Sequence, residues 1–470
     1  MSNAKPHLER TIGLAGAVAL VIGGVIGAGI YALIGSIGAK AGSATWLAFV
    51  IAMFVSVVGA IPVIQVASAM PRAGAGYLFA SRLLFPMAGT VTSGIILVAG
   101  ASSTALTMIA LTTYLPPALT FGAPPHWIAV GMLVAFYLIM LLGLRMAIGL
   151  QVIMVAHMLV ALGIYCVAGF ATTPLEFSFT PRLGGGEFFI AVVLCYNACM
   201  GFQVLAEMGE EIRHAKRTIP LALIIGGAIV SIIYIVIGTV LVNSLPYTPE
   251  AYDPGNAPLN ASALLFLPAP VVTFVGLGAL TAGLTSLNAA AVALPRELFA
   301  QSRDGMLPEA LSRVAPHTHS PLRAITAFFA LVVALVLPNL EQDFYGLMAA
   351  IGIQIVTAMI CLGSLRLYVK YPELYRSAYI VFPVWMLWAC TIVTVVVTAG
   401  FVVMMAGEMP IVIVCYAVLA VCLAVYHAAR VAYARRAGIP YDERVRRIPG
   451  DDEIENDRAP LLEEQESEAQ

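Results

Sequence analysis

The sequence predicts an all-α polytopic membrane protein of about twelve transmembrane helices, arranged as a 5+5 inverted repeat with helices 1 and 6 broken. Three observations carry this expectation. The 470 residues are 60% hydrophobic and 11% charged, with a mean hydropathy of +0.93, whereas soluble domains carry about a quarter charged residues. Twelve apolar runs approach the ~20 residues that a helix needs to cross a bilayer, where only a helix satisfies its own backbone. The first and sixth runs are interrupted by glycine near their midpoints, at corresponding places in two halves. That is the mark of an inverted-repeat transporter with its site between the breaks.

The runs cover residues 12–37, 44–69, 77–115, 127–144, 148–171, 187–208, 219–243, 268–301, 322–338, 344–366, 379–405 and 411–435. The third and eighth are long enough to tilt or to continue into a loop helix. Residues 1–11 are polar, and no small-residue cleavage site follows a short apolar core, so the first run reads as a retained span. The segments are then 1–11 as an N-terminus, 12–171 as helices 1–5, 187–366 as helices 6–10, and 379–435 as helices 11–12. Residues 438–470 form an acidic tail, with eleven acids, four arginines and few aromatics, the composition of disorder.

Charge placement orients these spans. The formal net charge is −2, but with the N-terminus in the cytoplasm only Lys40 and Arg182 of the 24 basic residues fall in outside loops. This positive-inside bias puts both termini in the cytoplasm. The outer segment between helices 7 and 8 is rich in Pro and Asn and reads as a short helix over the mouth. The seven cysteines lie in apolar runs without a CxxC pair or zinc spacing, so neither a disulfide framework nor a metal site is expected. No cofactor and no nucleic-acid partner are expected.

The broken spans come next. Span 1 carries Gly23, Gly24, Gly27 and Gly29 around its middle. Unwinding there frees N–H groups at the start of a second half-helix, whose positive dipole end suits an anion such as a carboxylate. Span 6 reads Cys195-Tyr196-Asn197-Ala198-Cys199-Met200-Gly201-Phe202-Gln203, with Asn197 and Gly201 in an otherwise apolar stretch.

Four motifs in order sharpen the reading. They are Gly27-Ala28-Gly29-Ile30-Tyr31; Met70-Pro71-Arg72-Ala73-Gly74-Ala75-Gly76-Tyr77; Glu210-Glu211-Ile212-Arg213 with Ile219-Pro220; and Asn288, Arg296 and Arg303-Asp304-Gly305-Met306-Leu307-Pro308. The chain thereby resembles the amino acid–polyamine–organocation (APC) transporter superfamily, with its leucine-transporter-type fold, over residues 8–435. Ala215 replaces the proline usual after the sixth helix, and Gln203 stands where many members carry Glu.

The resemblance implies a secondary active amino acid transporter working by alternating access, not an enzyme. It implies a substrate carboxylate on the backbone N–H groups of Ala28, Gly29 and Ile30, beside Gly27. The ammonium would lie on carbonyls near Val25, Ile26, Asn197 and Met200, by Gly201. Phe202 matches the family's aromatic lid. No Asp or Glu lies at mid-depth in any span, which favours a small or apolar neutral amino acid over a cationic one, since a cation needs a fixed carboxylate. Gln203 and Glu207 are gate candidates, with Glu207 expected to face a basic residue near helix 1.

Two readings of the coupling ion stay open. His157 is the one ionisable side chain deep in a span, and imidazole titrates near neutral pH, so it is a proton-coupling candidate. By an ungapped reading, His157 or Met158 stands where some relatives carry a lysine that replaces sodium. Against this, Ala282, Thr285 and Ser286 on helix 8, with carbonyls of Gly23 and Ile26, offer five oxygens for sodium. Proton coupling or exchange ranks above a sodium symporter. A membrane enzyme lacks its intramembrane His-Glu or paired-Asp constellation, and a channel lacks its ring of charges. A non-transporting nutrient sensor or scaffold on the same fold is the rival of another class. The expected location is the plasma membrane.

Overall fold

A computed structural model describes residues 8, 10–112, 115, 122–315, 318 and 320–446. Among these the regular elements are all helical, and β-structure is limited to two isolated bridges, Ile12 with Ile212 and Ala73 with Met208. The protein is a polytopic all-α membrane protein. Eight helices are long and apolar enough to cross a bilayer, and shorter apolar helices accompany them.

Helix α1 (Leu14–Val25) ends where Ile26 and Gly27 leave helical geometry, and α2 (Ala28–Ala41) follows. The unwound pair shares only Gly27 with the expected Gly27-Ala28-Gly29, because an extended Gly27 serves as the N-cap of α2 and the residues after it are already helical. Then come α3 (Thr45–Ala69), α4 (Pro86–Leu111), α5 (Pro125–Met140) and α6 (Leu144–Thr172). The third apolar run is not one tilted helix. A short helix Ala75–Phe79 and a π-turn Ala80–Leu84 precede an extended Phe85, and Pro86 starts α4 at N1, where its missing N–H costs nothing.

The second half opens with α7 (Gly185–Ala198) and, after the second break, the single turn-and-a-half α8 (Gln203–Glu207). Next are α9 (Ala215–Ser244), α10 (Ala269–Ala293), α11 (Pro295–Asp304), α12 (Leu322–Val336) and α13 (Gln342–Lys370). The eighth run bends at Pro295 and continues as α11, the loop-helix alternative. Short helices Pro249–Tyr252 and Pro258–Ala263 fill the segment between α9 and α10. The halves share an order of helix kinds. In the first, the broken helix is followed by helices of 25, 26, 16 and 29 residues. In the second it is followed by helices of 30, 25, 15 and 29 residues.

Two final helices, α14 (Val384–Glu408) and α15 (Pro410–Arg436), sit outside the rest. Most of the apolar window of α4 is buried (83%), against 17% for α15, so α4 is central and α15 peripheral. The exposed faces of α14 and α15 carry Trp385, Trp388, Val396, Val403, Val418 and Val425. Apolar side chains there find their solvent in lipid, with tryptophans near a helix end as an interfacial anchor.

The tail reading needs one correction. A helix at Tyr441–Arg446 packs Tyr441 and Val445 against Tyr77, Ala300 and Met306. Two apolar residues four apart give this short helix a face to bury, a feature that the averaged acidic composition conceals. The remainder, 447–470, lies outside the described residues, as do residues 1–7.

Candidate functional site

The two breaks meet. Gly201 has φ +134°, which an L side chain rarely adopts. A Cβ built on it would lie 2.4 Å from the Gly24 carbonyl oxygen and 2.8 Å from the Val25 nitrogen. The backbones of the two interrupted helices therefore touch where each has lost its regular hydrogen bonding. In the first break Ile26 N–H donates to the Ile22 carbonyl at 2.6 Å and Gly27 N–H to the Val25 carbonyl at 2.9 Å. Ala28, Gly29 and Ile30 open α2, so their N–H groups have no carbonyl of their own helix to bond. In the second, Met200 N–H turns back to the Asn197 carbonyl at 3.2 Å and Val204 N–H to the Gly201 carbonyl at 3.2 Å.

One residue that sequence reasoning missed ties the breaks together. Tyr234 of α9 is fully buried. Its hydroxyl donates to the Val25 carbonyl at 2.8 Å and reaches the Ala198 carbonyl at 3.1 Å. The Val25 carbonyl thus takes a second donor beside Gly27 N–H, and both carbonyls stand at the interrupted helix ends, where a buried carbonyl left unpaired costs about 1–3 kcal/mol. The available signal was a lone tyrosine in an aliphatic run, which is also what a core aromatic looks like.

Around this junction Val25, Ile26, Ile30, Asn197, Met200 and Phe202 are all buried. Asn197 Oδ1 has no hydrogen-bond partner among the described residues. Leu33 of α2 and Asn197 both approach Gly346 of α13. No carboxylate is among these residues. The side chains of Ala28 and Gln203 lie outside the described residues.

The ion-coupling candidates separate into two places. His157 is half-buried, its Nδ1 3.0 Å from the Thr281 hydroxyl and its ring edge-on to Phe274 at 4.6 Å. Thr281 already donates to the Gly278 carbonyl at 3.0 Å. It does not meet the Gly23 cluster. The helix-5 residue that does is Gln151: a Cβ on Gly23 would lie 2.2 Å from Gln151 Nε2, 2.8 Å from Thr285 Cβ and 3.0 Å from Val155. Gln151 donates to the Ala19 carbonyl at 3.2 Å and accepts from Asn288 Nδ2 at 2.8 Å, which also donates to the Ala147 carbonyl at 2.9 Å. Gly23 and Thr285 are thus brought together, but the Thr285 hydroxyl donates to the Ala282 carbonyl at 2.7 Å, and Ser286 is half-buried.

The gate candidate Glu207 is buried, and among the described residues no Lys, Arg or His side chain pairs with it. Its Oε1 accepts from Gly76 N–H at 3.2 Å, and a Cβ on the same glycine would lie 2.8 Å from Glu297 Oε1. The basic residues near it are already engaged. Arg296 forms a bidentate pair with Glu211, and Arg303 a bidentate pair with Glu210. Glu211 also accepts Thr11 and Ile12 N–H on its carbonyl, both at 3.0 Å, which fastens the segment before α1.

Glu210 gives a pH prediction. Burial pushes its carboxyl up, but the Arg303 guanidinium, Arg72 and the Ala73 N–H together hold it below the usual range. A depressed carboxyl contributes stability above its unfolded pKa of ~4.3, lost as pH falls through the folded value. Glu210→Gln is therefore expected to melt below wild type in detergent at neutral pH, the gap closing once pH drops under ~4. A gap that stays constant through that range would contradict the assignment.

A sequence model of the family described as Amino acid permease matches residues 12–433. An uncharacterized transporter of Mycobacterium tuberculosis is 28% identical over 332 residues, covering 70% of this chain and 74% of its own. The branched-chain amino acid permease of Bacillus subtilis is 25% identical over 398 residues, 80% of this chain and 84% of its own. The human cationic amino acid transporter 4 is 26% identical over 362 residues, 72% of this chain and 56% of its own.

Proposed function

The chain belongs to the amino acid permease family, and from that premise we propose that it carries a small or apolar neutral amino acid across the plasma membrane by alternating access, coupled to protons or by exchange. The observation that carries this is the junction of the two breaks, where Gly201 abuts Gly24 and Tyr234 holds the Val25 and Ala198 carbonyls. A zwitterion fits it. The carboxylate sits on the N–H groups opening α2, and the ammonium on carbonyls of the breaks with Asn197 Oδ1.

The absence of a carboxylate among the junction residues named above argues for a neutral side chain, since a buried cation without one is costly. Spans 1–5 and 6–10 are read as inverted repeats, supported by the shared order of helix kinds, and the distribution of basic residues supports reading both termini as cytoplasmic. Against sodium stands Gln151, whose amide nitrogen packs against Gly23 on the side that Thr285 also approaches, where a hard cation needs oxygens.

The test is uptake of radiolabelled neutral amino acids into proteoliposomes, with proton and sodium gradients imposed separately. An inward proton gradient is expected to drive accumulation, or internal amino acid to accelerate entry, with sodium dispensable. Accumulation driven by sodium alone returns the site at Gly23, Ile26, Ala282, Thr285 and Ser286 to first place. Absence of flux for every amino acid would sink the transporter reading in favour of a sensor or scaffold.

A further inference from the structure

Glu207 and Glu297 are ninety residues apart in sequence, and each alone reads as an acid near a membrane interface. In the structure they are a buried pair. Glu207 is 1% exposed and Glu297 fully buried. Both converge on Gly76. Its N–H donates to Glu207 Oε1 at 3.2 Å, and a Cβ on it would lie 2.8 Å from Glu297 Oε1. Tyr77 N–H donates to both oxygens of Glu297, at 3.2 and 3.0 Å.

Among the described residues no Lys, Arg or His side chain pairs with either acid. The charged groups on the surrounding elements are committed elsewhere: Glu211 to Arg296, Glu210 to Arg303, Asp304 to Arg82, while Arg366 donates to the Leu84 carbonyl. The Glu207 Oε2 atom is buried and has no hydrogen-bond donor facing it.

Two carboxylates converging on one glycine, out of water and without a cation, are costly to ionise together. A proton between them supplies the missing donor. We propose that Glu207 and Glu297 form a proton-binding site, holding one shared proton while α8, α11 and the Gly76–Tyr77 turn are closed on one another. This deepens the proton-coupled reading above and rests on it for its role in transport.

The balance is simple. Closed, the pair carries one proton and one negative charge, spread over the Gly76 and Tyr77 N–H groups. When α8 moves away from α11, water reaches both carboxyls, each ionises independently, and the proton leaves to solvent. Reclosure requires a proton to return. Because α8 is the second half of the broken helix whose first half ends at Asn197 and Ala198, release is linked to movement of the binding junction.

The deciding experiment compares wild type with Glu297→Gln and Glu207→Gln in proteoliposomes, and reads the carbonyl stretch of protonated carboxyls by infrared spectroscopy at neutral pH. Glutamine mimics the protonated partner in size and donates to the remaining carboxylate, so the closed form is kept; each variant stands in if the other does not fold. One coupled proton supports up to about tenfold accumulation per pH unit of gradient. Wild type is expected to approach that figure, and either variant to fall to about onefold while still exchanging labelled substrate at a measurable rate. The infrared band of wild type is expected to weaken in both variants.

Variants that accumulate as wild type does would overturn the site while leaving the transport reading intact, as would accumulation abolished by His157→Ala alone. If wild type moves no amino acid, the transport reading fails separately. The infrared band then still decides: lost in the variants, the proton site stands; absent from wild type or unchanged in both, it does not.

Discussion

Gly201→Ala is expected to abolish uptake and to lower the melting midpoint in detergent. The new methyl would sit 2.4 Å from the Gly24 carbonyl oxygen and 2.6 Å from its carbon, both backbone atoms that no rotamer change can clear. The residue would also have to keep φ +134°, a region that costs an L residue of order 1–3 kcal/mol. Overpacking adds a similar amount, and the only relief is to separate the two breaks, which pulls Tyr234 off one of its carbonyls. The same contact approached from its other side is forgiving. A Cβ on Gly24 meets the Gly201 oxygen at 3.4 Å and Ala289 Cβ at 3.5 Å, ordinary van der Waals distances. Gly24→Ala is therefore expected to keep substantial uptake and near-normal stability. Comparable activity in the two variants would show that the close approach of the breaks is not used in the transport cycle.

The contrast between these glycines marks what the sequence makes legible. Hydropathy marked the apolar runs, and eight helices among the described residues are long and apolar enough to cross a bilayer, because a bilayer imposes the same length and polarity on each; a glycine pair in an aliphatic helix is also a strong local signal. The breaks were thus placed to within a residue or two. Long-range partnerships were not legible. Tyr234 and Gln151 act on carbonyls and amides more than 30 residues away, and nothing local distinguishes them from packing residues. Glu207 and Glu297 looked like separate interfacial acids, since neither spacing nor composition reports that α8 and α11 meet.

His157 was singled out by rarity, being the one ionisable group at depth, but rarity does not give rotation about the helix axis. Gln151 lies six residues earlier, about 120° round the helix, and that rotation is what turns Gln151, not His157, toward Gly23. The motifs fared better as class markers than as contacts. Glu211 and Arg296 were quoted in separate motifs, and only the structure shows that they are one bidentate pair.

That pair supplies the largest expected loss of stability. Arg296 and Glu211 are 1% and 0% exposed. Arg296 donates through Nε at 3.2 Å and a terminal nitrogen at 2.7 Å to the two Glu211 oxygens, and its other terminal nitrogen donates to the Val292 carbonyl. Arg296→Met keeps the volume but leaves a buried carboxylate without its cation, at a cost of about 3–5 kcal/mol. Lysine is not expected to rescue it, because a single ammonium cannot reproduce the planar fork that serves three acceptors. Removing both charges is different: Arg296→Met combined with Glu211→Leu loses the attraction and the desolvation cost together, and is expected to recover most of the melting midpoint. Hydrogen exchange gives a second readout. The Glu211 carbonyl holds the Thr11 and Ile12 amides, so those two should exchange faster in Arg296→Met, while amides in the centre of α4 and α13 stay protected. A single variant as stable as wild type, or a double variant no better than the single, would mean that the pair is not a net anchor between the end of helix 6 and α11.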